Sequence, residues 1–154
     1  MALHEAASAF APDSGLQLKW PNDLLAGGAK VGGILLEREG EAVIAGFGVN
    51  LARHPDSLDR PATSLAALAG SAPDVMEFAD ELAAAFARWL GCWRSEGVAP
   101  VRAAWLASAH PPGTPLSTDE GDGLFDGLDE SGSLRLRLAD GSGRVIHAGD
   151  VFLI

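Results

Sequence analysis

The first half of the chain alternates short apolar runs with turn-forming residues, a pattern that predicts strands joined by tight connections. Residues 16–20 predict a short strand, and residues 21–28 predict a turn that runs into a glycine-rich loop. Residues 30–39 and 42–51 predict two longer strands, and residues 40–41 between them, glycine and glutamate, fit a two-residue hairpin connection. Both long strands are apolar over several consecutive positions, which predicts that both of their faces are buried.

Helical periodicity surrounds these strands. Residues 3–11 are rich in alanine and predict a short helix, and residues 63–69 predict another that ends at Gly70. Residues 74–94 predict the longest helix, and residues 100–109 a further one. The longest helix carries one apolar stripe with spacings of three and four, formed by Phe78, Leu82, Phe86, Trp89, Leu90 and Trp93.

The amino-acid composition and the apolar pattern of the chain change after residues 110–113, whose sequence H-P-P-G is typical of a domain boundary. From there on, glycine and aspartate recur between short alternating runs such as L-R-L-R-L, and residues 151–154 predict a last strand. This pattern predicts a small barrel of four or five antiparallel strands. The predicted fold class is therefore α/β (α+β), with one domain over residues 1–110 and a second over residues 111–154.

Charge and composition exclude several classes of function. The net charge of −10 argues against broad, sequence-blind binding of nucleic acids, although it leaves room for one small basic pocket for a phosphate. The single cysteine, Cys92, excludes an intrachain disulfide and fits a reducing compartment. Because Cys92 lies in an apolar helical run, it is interpreted as a small buried hydrophobe rather than a nucleophile. No apolar run approaches the length of a membrane span and no export signal is visible, so we expect a cytoplasmic protein without membrane association.

A few polar residues and glycines at strand ends are candidates for a ligand site. Lys30 follows a glycine pair and opens a strand, so its amine could project into a crevice, although most lysines are simply solvated. Asn22 and Asp23 are ordinary turn residues that could instead line a pocket. Gly33 could form a bulge or let a ligand approach the backbone, and Asn50 could merely end its strand. Taken singly, none of these residues identifies a reaction.

Metal and hydrolase chemistry find no support in the sequence. The four histidines are scattered without metal-ligand spacing, and no G-x-S-x-G motif is present. The acidic turn with Asp119, Glu120 and Asp122 is interpreted as a solvated loop rather than a metal site. No metal-ligating residue is therefore predicted.

The order of the motifs is more specific than any one of them. K-W-P-N-D at residue 19 is followed by K-V-G-G-I-L-L-E at residue 30 and by G-F-G-V-N-L at residue 46. R-P-A-T-S-L-A-A then follows, and G-L-D-E-S-G-S-L and A-G-D-V close the chain. This succession resembles the family of biotin–protein ligases over nearly the whole chain. The resemblance implies an α/β catalytic domain with a mixed sheet flanked by helices, of which residues 1–110 are the C-terminal portion, followed by a small SH3-like β-barrel over residues 111–154.

The resemblance also implies a reaction. In that family the biotin carboxylate attacks the α-phosphate of ATP, which gives biotinyl-AMP and pyrophosphate. A lysine of the biotin carboxyl carrier protein then attacks the acyl group and releases AMP. Biotin and ATP are thus the implied substrates, and Mg²⁺ is expected with ATP. A lipoate-type ligase is a weaker alternative, because the K-W-P-N-D motif with a barrel tail favours biotin.

Roles for individual residues follow from the same resemblance. Lys30 matches the family's active-site lysine, which touches both the biotin carboxyl and the phosphate. Asn22 and Asp23 match residues at the nucleotide side of the pocket. Gly33 matches a glycine whose backbone approaches biotin, and Asn50 matches an asparagine near the adenine and the phosphates.

The chain departs from the family at its start. The family's glycine/arginine-rich loop, the strands that contact the biotin ring and the DNA-binding winged helix of many members have no counterpart in this sequence. We therefore expect a truncated or partial ligase that does not bind DNA. The missing strands predict an uncovered sheet edge and an uncovered apolar face, which favours self-association and a possible homodimer. A non-catalytic, ligase-like module that binds a carrier domain or an adenylate is the alternative function.

Overall fold

The computed structural model describes residues 1–56 and 60–154, which form an α/β fold with two antiparallel sheets. The helices of these residues are α1 (Ala2–Phe10), α2 (Leu65–Ala69), α3 (Val75–Glu96) and α4 (Val98–Ser108). The first sheet contains β1 (Leu16–Lys19), β2 (Asp23–Ala26), β3 (Ala29–Glu39) and β4 (Ala42–Val49). The second contains β5 (Pro115–Thr118), β6 (Gly121–Leu128), β7 (Leu134–Arg137), β8 (Gly143–Ile146) and β9 (Val151–Leu153). The chain divides into two compact units, residues 1–18 with 22–89 and residues 19–21 with 90–154.

The first sheet has the strand order β1-β2-β3-β4, and β3 pairs antiparallel with both β2 and β4. The hairpin of the two long strands was predicted and is confirmed, but β2 was predicted as a loop, which is wrong. All four residues of β2 are buried, and Gly27 and Gly28, with φ of 55° and 82°, close a tight connection to β3. Four residues are too few to show a strand period, so burial in the tertiary structure decides this element.

The predicted burial of both faces of β3 and β4 is wrong for the part of the hairpin near its turn. The exposed fractions of Leu35, Leu36, Val43 and Ile44 are 62%, 65%, 66% and 53%. The apolar run identifies a strand, but whether its faces are covered depends on what other segments lie against it. We name these four residues the hairpin patch. Exposed apolar surface of this kind was expected from the sequence and is typical of a surface that another segment or protein covers.

Capping residues mark the starts of α2 and α3 and the end of α2. Asp74 accepts hydrogen bonds from the backbone N–H groups of Met76 (2.8 Å) and Glu77 (3.2 Å) at the start of α3. Ser64 caps α2 in the same way, and Gly70 ends α2 in the left-handed conformation that its position requires. The apolar stripe of α3 is only partly covered, since Phe78 is buried whereas Phe86 and Trp93 are exposed.

A charged contact joins α1 to α3 within the first unit. The Glu5 carboxylate accepts hydrogen bonds from Arg88 Nη2 (2.5 Å) and from Trp89 Nε1 (2.6 Å), and Arg88 also contacts Glu81. The hydrogen bond from Arg88 is the main reason that the pKa of Glu5 is lowered below its usual value, and the indole N–H adds to this effect. Since these bonds form only in the folded chain, they link stability to pH.

We expect Glu5→Gln to destabilise the chain at neutral pH and to have little effect in acid. A carboxylate whose pKa is lower in the folded state stabilises the fold above its unfolded pKa. That contribution disappears as the pH falls through the folded pKa, because the carboxyl is then protonated in both states. Chemical denaturation of both proteins between pH 7 and pH 3 measures the difference. A gap between them that is the same at every pH would contradict an ionic origin.

The second unit is built around the five-stranded antiparallel sheet, whose order is β8-β7-β6-β5-β9. The predicted four or five antiparallel strands are thus confirmed. The five described strands do not close into a barrel, because the two outer strands β8 and β9 are not paired with each other. Trp20, whose indole N–H donates to the carbonyl of Gly132 (3.1 Å), joins a core of seven sheet residues: Leu116, Phe125, Leu128, Leu134, Leu136, Ile146 and Val151. None of the helices in the described ranges is both long and apolar enough to cross a membrane.

Candidate ligand site around Lys30

A cavity of about 890 Å³ lies at the start of β3 and the end of β4, within the first unit. Its size falls in the range that small-molecule sites usually occupy. Glycines and apolar residues form much of its wall, and its described lining includes four polar or charged residues: Asn22, Lys30, Asn50 and Arg60. An apolar wall with a few placed polar groups is typical of a ligand site.

Lys30 is held firmly at the mouth of this cavity. Its backbone N–H donates to the carbonyl of Pro61 (2.9 Å), and its own carbonyl accepts from the N–H of Thr63 (2.9 Å). Through these bonds residue 62 forms a parallel bridge with Lys30. Both backbone groups of Lys30 are thereby satisfied, and its side chain remains about half exposed, at 47%.

Asp23 fixes the direction of the Lys30 side chain. Lys30 Nζ lies 2.5 Å from Asp23 Oδ1, and the Asp23 side chain is only 10% exposed. Asp23 is not one of the described residues that line the cavity, so it reaches the site through its contact with the amine. An ammonium group has three N–H donors, so Lys30 can hold Asp23 and an anionic ligand at the same time.

Asn22 and Asn50 both use their amide nitrogens to hold backbone in place. Asn22 Nδ2 donates to the carbonyl of Ile34 (2.7 Å), while Asn50 Nδ2 donates to the carbonyls of Thr63 (2.9 Å) and Lys30 (3.3 Å). Within the described residues, the amide oxygens of the two asparagines accept no hydrogen bond. Each asparagine can therefore offer a ligand an acceptor, but the Asn50 amide has no donor to spare.

Glycine forms the floor of the cavity. Gly33 faces Gly48 across the β3–β4 pair, and Leu35 faces Gly46 on the same side of the sheet. A Cβ atom at Gly33 would lie 3.2 Å from Lys30 Nζ and 3.2 Å from Asp23 Oδ1, so a side chain here would press on the ion pair. The structure thus brings all five predicted site residues together, four at the cavity wall and Asp23 in contact with Lys30.

Sequence reasoning did not single out Arg60. Arg60 is the first residue of the R-P-A-T-S-L-A-A motif, and this motif was the available signal. Lys30 and Arg60 are the charged side chains among the described lining residues, and no carboxylate lines the cavity there. In a chain with a net charge of −10, such a wall favours an anionic ligand.

The donor set of the cavity does not by itself fit a magnesium ion. Mg²⁺ prefers carboxylate and phosphate oxygens, and the described wall offers two amide oxygens. The described residues also contain no group of three or more histidine, cysteine, aspartate or glutamate side chains placed to hold a metal.

Comparisons with known proteins identify relatives of both halves of the chain. The sequence model of the Biotin/lipoate A/B protein ligase family matches residues 9–51, and that of the Biotin protein ligase C terminal domain matches residues 117–154. The chain is 44% identical to the biotin–[acetyl-CoA-carboxylase] ligase of Paracoccus denitrificans, over 99% of this chain and 69% of the relative. It is 35% identical to the protein of the same name from Mycobacterium tuberculosis, over 91% of this chain and 54% of the relative.

A solved structure has the same fold. The biotin protein ligase from Aquifex aeolicus in complex with biotin and ATP superposes with a TM-score of 0.87, over 99% of this chain and 68% of that one. Its sequence is 22% identical, so this likeness concerns the fold.

Proposed function

The chain belongs to the biotin protein ligase family, and we propose that its cavity serves the ATP-dependent attachment of biotin to a carrier protein. In the first step a biotin carboxylate oxygen bonds to the α-phosphorus of ATP, and pyrophosphate leaves with the electrons of the broken P–O bond. In the second step the amine of a carrier lysine attacks the acyl carbon and loses a proton, and AMP leaves. The product is an amide between biotin and the carrier.

The placement of Lys30 is the observation that carries this proposal. Negative charge builds up around the α-phosphorus and the carboxylate as the first bond forms. A cation already held in position stabilises that charge without further reorganisation of the protein. Asp23 on one side and the backbone bonds on the other give Lys30 this fixed position.

The other site residues fit distinct parts of the adenylate. We place Asn22 and Asp23 at the nucleotide side, where the Oδ1 atom of Asn22 can accept a hydrogen bond from the ligand. Asn50 offers its Oδ1 atom near the adenine and the phosphates. Gly33 lets biotin lie against the backbone because it carries no side chain, and an added Cβ would also press on the Lys30–Asp23 pair.

Partners and architecture follow from the same proposal. The carrier is a biotin carboxyl carrier protein, and the reaction takes place in the cytoplasm. ATP enters with Mg²⁺, whose ligands are phosphate oxygens, since the described wall of the cavity has no carboxylate. The second sheet corresponds to the SH3-like barrel of the family, with a domain boundary between residues 110 and 111.

Two measurements on the wild-type chain test this function. We expect biotin-dependent exchange of labelled pyrophosphate into ATP, and we expect calorimetry to detect binding of biotinyl-AMP. Omission of biotin is the control for exchange, because other ATP-consuming contaminants do not need it. A chain that neither catalyses exchange nor binds biotinyl-AMP would contradict the proposal.

The exposed hairpin patch favours a second candidate function, a non-catalytic module that binds an adenylate or a carrier domain. Leu35 belongs both to this patch and to the cavity wall, so the wall continues into uncovered apolar surface. An open wall of this kind allows binding but excludes water poorly. Binding of biotinyl-AMP without any pyrophosphate exchange would identify this alternative.

A further inference from the structure

Arg60 and Lys30 approach the same cavity from adjoining segments of the chain. Both line its wall, and among the described lining residues they are the two that carry a charge. Most charged residues of this chain are acidic, with 21 aspartates and glutamates against 11 lysines and arginines. Among the described lining residues, two cations and no carboxylate differ from the acidic composition of the chain, which suggests a common anionic ligand.

The backbone fixes how far Arg60 can lie from Lys30. The carbonyl of Pro61, the next residue, accepts the N–H of Lys30, and Ala62 forms the parallel bridge to Lys30. The Asn50 amide holds the carbonyl of Thr63 in the same segment. Because Arg60 is two residues from Ala62, its Cα lies at most about 7 Å from the Cα of that bridge residue.

The two cations differ in what they can bind. One donor of the Lys30 ammonium already contacts Asp23, and the group acts as a compact point charge. A guanidinium is a planar fork with donors on two sides, which matches two oxygens of one phosphate. Lys30 is therefore suited to the oxygen between the acyl group and phosphorus, and Arg60 to the non-bridging oxygens.

We infer that Arg60 binds the phosphate of the adenylate as a second cation beside Lys30. This inference rests on the proposed function, and it adds a residue for which the motif comparison supplied no role. Arg60 acts by direct contact with the ligand, so its effect depends on the phosphate charge. An arginine that is only solvated at the cavity mouth would not distinguish a ligand with a phosphate from an uncharged ligand.

The test compares two ligands and two matched variants by calorimetry. The ligands are biotinyl-AMP and an uncharged analogue in which an amide replaces the acyl phosphate. The variants are Arg60→Gln and Arg53→Gln, which each remove one positive charge from the same connecting segment. Arg53→Gln is the control, because Arg53 is exposed and is not among the described residues that line the cavity. We expect Arg60→Gln to weaken biotinyl-AMP binding about tenfold at low salt and to change the binding of the analogue less than about twofold.

Further readouts separate a phosphate contact from a general effect. Arg53→Gln should leave both affinities within about twofold of wild type, and Arg60→Lys should restore part of the loss. Affinity should also depend less on salt concentration in Arg60→Gln than in wild type, because one ionic contact is missing. Thermal unfolding of each variant checks that a change in affinity does not come from a loss of structure.

The remaining outcomes contradict either the role of Arg60 alone or the proposed function as well. If wild type binds biotinyl-AMP and Arg60→Gln binds it equally well, the role of Arg60 is wrong and the proposed function stands. The same holds if Arg60→Gln weakens both ligands alike, or if Arg53→Gln has the same effect. If wild type does not bind biotinyl-AMP at all, the proposed function fails and the inference fails with it.

Discussion

Replacement of Lys30 by glutamine is expected to lower the rate of biotin-dependent pyrophosphate exchange by about two to three orders of magnitude, the usual effect of losing one positioned stabilising group. Glutamine has nearly the length of lysine but carries no charge. It therefore keeps the packing at the start of β3 and removes the cation from the reacting phosphate. The loss should appear mainly in kcat, because charge at this point increases toward the transition state.

Two further variants separate charge from position at the same site. Lys30→Arg keeps the charge but carries a larger, planar group, so we expect part of the activity to remain. Asp23→Asn keeps Lys30 but removes its negatively charged neighbour at 2.5 Å. If Asp23 serves to direct the amine, Asp23→Asn should reduce kcat less than Lys30→Gln does.

Steady-state exchange assays with biotin and ATP varied in turn measure these effects. Circular dichroism and thermal unfolding of each variant control for loss of structure, and Arg53→Gln controls for the change in net charge. An exchange rate of Lys30→Gln within a few fold of wild type would remove the central role of this amine. In that case the cavity would still be a binding site, but the chemistry would have to be assigned to other groups.

The second large effect is expected from the matched pair Gly32→Ala and Gly48→Ala, which add one methyl group to neighbouring strands. A Cβ atom at Gly32 would lie 2.6 Å from the carbonyl oxygen of Gly48 and 3.3 Å from the Cα of Val49. Both are backbone atoms, so the strands themselves must move apart. We expect Gly32→Ala to lower the free energy of unfolding by about 1–3 kcal/mol, as overpacking usually does.

Gly48→Ala should behave in the opposite way. A Cβ atom at Gly48 meets no protein atom within 4 Å, and Gly48 is not in the positive-φ conformation that favours glycine. Its effect on the free energy of unfolding should therefore stay within about 0.5 kcal/mol. Because Gly48 lines the cavity, the added methyl group occupies ligand space instead. We expect about a tenfold loss of biotin affinity, the order of effect that one methyl group has in a fitted pocket.

Chemical denaturation and calorimetry with biotin, applied to both variants, give the two readouts. The result predicted is that Gly32→Ala is defective in stability, whereas Gly48→Ala is as stable as wild type but defective in binding. If Gly48→Ala binds biotin as wild type does, the glycine floor is not part of the biotin site. If Gly32→Ala is as stable as wild type, the close approach of the two strands at this point is relaxed in solution.

Local patterns predicted those elements whose residues interact mainly with sequence neighbours. The β3–β4 hairpin was predictable because a glycine in a two-residue connection joins two long apolar runs, and α3 because its period and its capping Asp74 agree. The strand β2 was not predictable, and neither was the choice of Leu36 and Val43 as residues that stay exposed. Both depend on which other segments cover a given residue, and an apolar run in the sequence does not show which segments these are.

The order of motifs in the sequence, by itself, determined the family of this protein and pointed to Lys30 as a candidate site residue, because such a succession of residues rarely arises without common ancestry. The tertiary structure alone decided how the site is assembled. It placed Asp23 against Lys30, used the Asn50 amide to hold backbone, and brought Arg60 to the cavity wall. The hydrogen bonds of the Asn50 amide join residues up to 20 positions apart, and the geometry of the folded sheet sets their distances.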